Sequence, residues 1–331
     1  MLFITKVKPL VIIITIGLAI MVGGCHKKTD DNATQKIVVI TTLFPLFDFA
    51  KHIGGNKAEV SLLLPPGVEA HSFEPKPGDI ARIEAGNLFI YTGDEMEPWV
   101  KKILSGINSK RFQIVNAGSG IVLQETEQHH EHGNAEKHTE NHHEVEETDH
   151  HHGRLDPHIW LDFANAQKMV DTMAAGFVTK DPANRDFYLK NASRYKAKLD
   201  DLDRRYRQAM ATCDKKVIIH GGHFAFNYLA KRYGLIYESA YSGSPTSEPT
   251  AKRIIELKAK LKKHGLGAVF YEELIEPRMA GVIAKETGSR LLKLHGAHNV
   301  SRDELEQGVT FMQLMEQNLE NLKAGLQCRG N

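Results

Sequence analysis

Three cysteines in 331 residues, at positions 25, 213 and 328, leave the chain without a Cys-x-x-Cys pair or a Cys₄ metal site. Charge of one sign is missing as well. The 42 Lys and Arg stand against 41 Asp and Glu for a formal net charge of +1, with the basic residues dispersed, so no nucleic-acid partner is expected. The apolar run at 10–22 falls short of the roughly 20 residues that a membrane helix needs. Neither a His-Glu-x-x-His helix nor its reverse occurs, which removes the sequence signature of a zinc hydrolase and points away from an enzyme. What the chain does have is histidine: 18 in all, a few isolated in structured contexts and many crowded into one tract.

The first residues place Lys6 and Lys8 ahead of the apolar run, which ends in Val22-Gly23-Gly24-Cys25. This order of charge, short apolar stretch and small residues reads as a secretory signal over 1–24. Its last four residues resemble a bacterial lipobox, with Cys25 as the lipidated residue and 25–35 as a polar tether; an ordinary signal with an incidental cysteine is the alternative. A lipid-anchored, extracytoplasmic protein on a bacterial membrane is thus expected, held by acyl chains at roughly 0.8 kcal/mol per buried CH₂. Cys213 and Cys328 are then left as a disulfide pair or as two unpaired buried thiols.

From residue 36 short β-rich runs alternate with amphipathic helical stretches. Strands are expected at 37–41, 60–64, 88–91, 113–115, 216–219, 236–240, 268–271 and 290–294. Helices between them imply βα units and mostly parallel sheets, an α/β fold. Residues 121–155 break the rhythm: nine are His, nine are Asp or Glu and very few are apolar, too little to offset the entropy of ordering, so a disordered insertion is expected there. A helix at 165–178 and a longer one at 182–211, with Tyr188, Ala192, Tyr195, Leu199, Leu202 and Tyr206 at three- and four-residue spacing, make 165–212 a connection between an N-terminal lobe (36–164) and a C-terminal lobe (213–328) with separate cores. The last helix is expected to run from 301 to 326.

Imidazole is the commonest protein ligand of zinc. His71 sits in the turn-rich loop Pro65-Pro66-Gly67-Val68-Glu69-Ala70-His71 after an expected strand, and His158 follows Asp156-Pro157, with Ile159 and Trp160 as buried anchors. Asp156 or Asp162 is a candidate to accept the second ring N–H of His158. His223 lies in His220-Gly221-Gly222-His223, where the glycines permit a tight strand-to-helix turn, and His220 competes with it. In the insertion, His129, His130, His132, His138, His142, His143, His150, His151 and His152 offer many weak, interchangeable positions for collecting metal.

The loop from Gly67 to Pro75, the segments Asp156 to Asp162 and His223 to Tyr228, and the motifs Glu248-Pro249-Thr250, Ile283-Ala284-Lys285-Glu286-Thr287-Gly288 and Met315-Glu316-Gln317-Asn318-Leu319, in this order behind a lipobox, resemble the zinc- and manganese-binding solute-binding proteins of bacterial ABC transporters. The likeness covers 36–326. It implies two Rossmann-like βα lobes joined by a long rigid helix, with the metal in the cleft between them. It also implies a monomer that delivers its metal to a membrane permease served by an ATPase subunit. His71, His158 and His223 match the family's histidine ligands, and histidine at 223 favours Zn²⁺ over Mn²⁺. The fourth position departs from the family's usual aspartate. His295, in Leu294-His295-Gly296-Ala297-His298, falls nearest to it, with His298, Glu272 or water as substitutes.

Overall fold

The computed structural model describes residues 36–126, 155–241, 249–274 and 276–329. The expected signal and tether, Cys25, the nine tract histidines and Glu248 lie outside these residues. From Lys36 onward the chain is one compact unit.

Its N-terminal half holds a sheet of β1 (Ile37–Thr41), β2 (Ala58–Leu62), β3 (Leu88–Tyr91) and β4 (Gln113–Asn116) in the order β2-β1-β3-β4. Every pairing in it is parallel, as the βα rhythm requires. Helices α1 (Phe44–Gly54), α2 (Pro77–Ala85) and α3 (Trp99–Gly106) make the connections. The C-terminal half repeats the plan with β7 (Val217–His220), β8 (Ile236–Ser239), β9 (Ala268–Tyr271) and β10 (Arg290–Lys293), ordered β10-β9-β7-β8 and again parallel. Between these strands run α6 (Asn227–Arg232), α7 (Ala251–His264) and α8 (Arg278–Thr287).

α4 (Phe163–Lys180) and α5 (Arg185–Ala211) join the halves. Asp162 caps α4 by accepting from the Ala164 and Asn165 amides. The 27 residues of α5 span roughly 40 Å. Its buried stripe is Tyr188, Ala192, Tyr195, Leu199, Leu202, Tyr206 and Met210. Tyr195 donates to Asp48 of α1 (2.7 Å), while Tyr206 donates to the Met315 carbonyl (2.5 Å), so one helix grips both halves.

Three expectations change here. The two halves do not have separate cores: one cluster runs from Ile37 and Phe49 through Trp160 and Tyr206 to Phe311 and Leu326, because α5 and α10 (Phe311–Gly325) bury side chains against both. Only the outer sheet faces keep their own clusters, around Ile83 and Phe89 in one half and around Leu257 and Ile283 in the other. The expected final helix is two, α9 (Arg302–Glu306) and α10, parted at Gly308, whose φ of 72° suits glycine. Finally, the insertion does not begin at 121 or end at 155: Ile121 is buried, and the short strands β5 (Gln124–Glu125) and β6 (Leu155–Asp156) pair antiparallel to form its neck. The Tyr228 hydroxyl accepts from the Gln124 amide (2.9 Å) and donates to the Asp156 carbonyl (3.1 Å), tying that neck to α6.

Cys213 and Cys328 form a disulfide across 115 residues. It closes the C-terminal half on itself, and the chain-entropy account values such a loop at up to about 4–5 kcal/mol.

Candidate metal centre

In parallel sheets the loops past the C-terminal strand ends converge on one edge, where ligands bind. His71 comes from the loop after β2, His158 from two residues past β6, His223 from the turn after β7 and His298 from the loop after β10. These four imidazoles each offer a nitrogen within 4.8 Å of the others; three are buried and His71 is partly exposed. The Nε2 atoms of His71 and His158 are 3.2 Å apart and those of His158 and His223 are 3.4 Å apart. A tetrahedron with zinc–nitrogen bonds of 2.0–2.1 Å has edges of roughly 3.3–3.4 Å. Two of the nitrogen pairs therefore already stand at the edge length of a zinc ion's shell, and the four nitrogens lie within 4.8 Å of one another.

The second nitrogens explain why the first converge. His158 Nδ1 donates to Asp156 Oδ1 (2.6 Å), which also accepts the His158 amide (3.0 Å). Glu272 sets one carboxylate oxygen against His223 Nδ1 and accepts the His223 amide on the other (3.1 Å). Glu273 Oε1 lies 3.3 Å from His298 Nδ1. With Nδ1 committed to a carboxylate, Nε2 is left with a bare lone pair facing the cluster. His298 Nε2 is buried and has no hydrogen-bond partner. Bare lone pairs at these separations repel unless a cation or a proton sits among them.

Charges follow the same logic. Burial, with the neighbouring imidazoles, holds His158 well below its ordinary value, so it stays neutral. Burial also pulls His223 down, but the Glu272 carboxylate more than offsets this and leaves it above the ordinary histidine value. Glu272 and Glu273 are pushed up by burial and pulled further down by their imidazoles, ending below the usual carboxylate range. Burial raises Asp156 to about 7.

The structure thus brings together His71, His158 and His223 as expected, but places His298 beside them where His295 was foreseen. His295 is buried elsewhere. Its amide and carbonyl are clamped by the Asn318 side chain (2.7 and 2.8 Å), and its Nδ1 accepts the Ala297 amide (3.0 Å). The chain then turns at Ala297, whose φ of 58° is left-handed, and His298 emerges against Trp160, 5.3 Å between ring centres. Glu272 sits behind His223 instead of among the converging nitrogens. His220 is also outside: it ends β7 fully buried, is lowered to about 4 by burial, and its Nδ1 accepts the Gly222 amide (3.3 Å). Asp156, and not Asp162, backs His158. Gly222 has a second duty besides the turn, since a Cβ there would collide with the Glu272 carboxylate.

Sequence reasoning missed Glu273. Its signal was two consecutive acids, Glu272 and Glu273, directly after the apolar strand Ala268–Tyr271, at the C-terminal strand end where ligands bind in parallel sheets. A cavity of about 660 Å³ lined by residues that include Phe47, His52, Arg82 and Leu305 holds none of the four histidines. The histidine cluster itself is sized for an ion.

Over residues 39–325 the chain matches the family described as ZnuA, zinc-uptake complex component A, periplasmic. It is 37% identical, over 93% of its length and 94% of the relative's, to the high-affinity zinc uptake system protein ZnuA of Bacillus subtilis. The crystal structure of the metal-dependent lipoprotein YcdH from Bacillus subtilis shares 35% identity and superposes with a TM-score of 0.72, covering 88% of this chain and 99% of that one. The Zn(II)-bound ZnuA-like domain of Streptococcus pneumoniae AdcA gives 28% identity, a TM-score of 0.71 and the same coverage. Of the whole zinc-binding lipoprotein AdcA, the chain spans 56%.

Proposed function

The chain belongs to the ZnuA family of periplasmic zinc-uptake components, and on that premise we propose that it captures Zn²⁺ outside the cytoplasm between His71, His158, His223 and His298 and delivers it to an ABC permease and its ATPase. The observation that carries this reading is the convergence of four imidazole nitrogens within 4.8 Å. Nitrogen ligands suit zinc, whereas manganese favours carboxylate and water, so the manganese alternative is disfavoured. Four protein ligands close the shell, while a catalytic zinc keeps a position open for water; the protein is a carrier with no reaction of its own. Burial keeps His158 neutral and ready to bind without first losing a proton.

In the same reading Cys25 carries the lipid that holds a monomer at the membrane, and the tract histidines between residues 129 and 152 gather zinc near the cleft through many weak sites. A reservoir or adhesin in which that tract is the main metal site is the competing account. Competitive zinc and manganese titration decides between them, using the full chain and a variant lacking 127–154, with a short Gly-Ser linker in their place to close the paired neck of β5 and β6. One tight, zinc-selective site is expected in both proteins. Loss of tight binding with the deletion would sink the cleft reading, and a preference for manganese would sink the choice of metal.

A further inference from the structure

His71 differs from its three partners. It is the partly exposed member of the cluster, and it rides on the 63–76 connection between β2 and α2, which contains no helix or strand. Within that loop the amide of His71 donates to Glu69 (3.0 Å) and the amide of Val68 to the Pro65 carbonyl (3.2 Å), while buried Ala70 and the ring of Phe73, 6.1 Å from that of Trp99, seat the loop on its own half. A second hold comes from the opposite half of the molecule. Asn299, fully buried and adjacent in sequence to His298, donates its side-chain amide to the carbonyls of Pro65 (2.7 Å) and Val68 (3.0 Å). One residue further on, the Val300 carbonyl accepts from the Gly67 amide (2.9 Å), which the left-handed φ of 78° at Gly67 presents.

The direction of the Asn299 amide is set by its surroundings. Its Oδ1 accepts the Val300 amide (2.9 Å), so the NH₂ group faces the two loop carbonyls; reversed, it would set oxygen against oxygen. The backbone around it is held too, because the His298 carbonyl accepts the Phe44 amide at the start of α1 (3.2 Å). A single short stretch, 298–300, therefore does two things. The side chain of His298 enters the cluster from the C-terminal half, and the side chain of Asn299 clasps the loop that brings His71 from the N-terminal half.

We propose that Asn299 is a positioning residue for the His71 corner of the site, holding that imidazole on the three buried ones and so setting how fast zinc leaves. This rests on the four-histidine reading above. The bonds from Asn299 to Pro65 and Val68 and from Gly67 to Val300 stand between the His71 loop and any movement of it away from the 298–300 stretch.

The test is zinc release into excess chelator from the full chain loaded with one equivalent of Zn²⁺. It compares the wild type with Asn299→Ala, Asn299→Asp, His71→Ala and the double variant His71→Ala/Asn299→Ala. Asn299→Asp keeps the Oδ1 that accepts from Val300 and removes the donor. Removing a partner that orients a ligand typically costs 10–100-fold, and release from both Asn299 variants is expected to accelerate by about that factor. Within the His71→Ala background the Asn299 substitution is expected to add less than about twofold, because the residue acts through His71. Release unchanged in the single variants overturns the inference. So does an acceleration that persists in full without His71, which marks general loosening, and so does a failure of both Asn299 variants to fold, which makes the clasp a determinant of the fold. If instead the wild type retains no slowly released zinc, the four-histidine reading itself fails and takes this one with it.

Discussion

The N-terminal sheet is ordered β2-β1-β3-β4 and the C-terminal sheet β8-β7-β9-β10, the same plan twice, and each half buries a carboxylate at its strand ends. In the first half Glu97 accepts from the Thr42 hydroxyl (2.5 Å) and from the amides of Thr92 (3.1 Å) and Gly93 (3.1 Å). Its partners are neutral, so burial raises it to about 7 despite those hydrogen bonds. In the second half Glu272 and Glu273 meet imidazoles, and their values fall. One carboxylate ties off backbone N–H groups and ends there; the other two pass polarity through a histidine to a nitrogen that points at the cargo. The carboxylates reach these strand ends from different places, Glu97 from the loop past β3 and Glu272 and Glu273 from directly after β9, and the partner residue decides which of them serve the metal site. Three of the four histidines stand on carboxylates of their own half, His158 on Asp156 in the first and His223 and His298 on Glu272 and Glu273 in the second, while the loop that carries His71 is also clasped from the other half.

The largest expected effect breaks the comparison at the imidazoles themselves. Substituting His298 or His223 with Ala, in protein lacking 127–154, is expected to weaken zinc binding by more than the roughly 100-fold upper range for loss of a supporting partner. Competition titration against a chelator measures this, and affinity retained within tenfold for His298→Ala would remove it from the shell. Next comes the carboxylate contrast. Glu272→Gln and Glu273→Gln are each expected to cost about 10–100-fold in affinity, whereas Glu97→Gln leaves it unchanged. Equal losses from all three would mean that the two halves do not differ as described.

The pH dependence sharpens the same point with smaller effects. His223 is raised above the ordinary value by Glu272 against the pull of burial, and a proton on it must leave before zinc binds. Affinity is expected to hold above its pKa and then to fall by up to about tenfold per pH unit below it. In Glu272→Gln the lost carboxylate lets burial dominate, so affinity is weaker at high pH but its decline begins at lower pH. Titrations between about pH 8 and 5.5 test this, and an onset that does not move in the variant would detach His223 from Glu272.

Much of this architecture was readable in the chain. Strands 37–41, 88–91 and 268–271 have the bounds that their apolar runs suggest, and the stripe on α5 follows from its three- and four-residue spacing. His71, His158 and His223 stood out because glycine, proline or apolar anchors surround them. The shared core was not legible, since Phe49 meeting Phe311, ring centres 5.1 Å apart, joins residues far apart in sequence that no local pattern connects. Nor was the neck of the insertion: β5 and β6 are two residues long, too short to show a period, and are held by Tyr228 from a distant helix. The role of Asn299 is invisible for the same reason, because its partners lie more than 230 positions away.

The fourth histidine shows where local reading stops. His295 and His298 occupy one loop, both buried and both near Glu273 Oε1, at 3.4 and 3.3 Å. Position relative to the strand end favours His295, yet Asn318 holds its backbone and Ala297 uses its Nδ1, while the left-handed turn at Ala297 swings the next side chain into the cluster. The smallest predicted effect on binding follows. His295→Asn keeps an acceptor for the Ala297 amide and is expected to change zinc affinity by less than about twofold, while the void left by the ring lowers stability by about 1–3 kcal/mol in denaturant unfolding of the zinc-free protein. A tenfold loss of affinity in that variant would reinstate His295 as a ligand and require the loop to turn differently when zinc is bound.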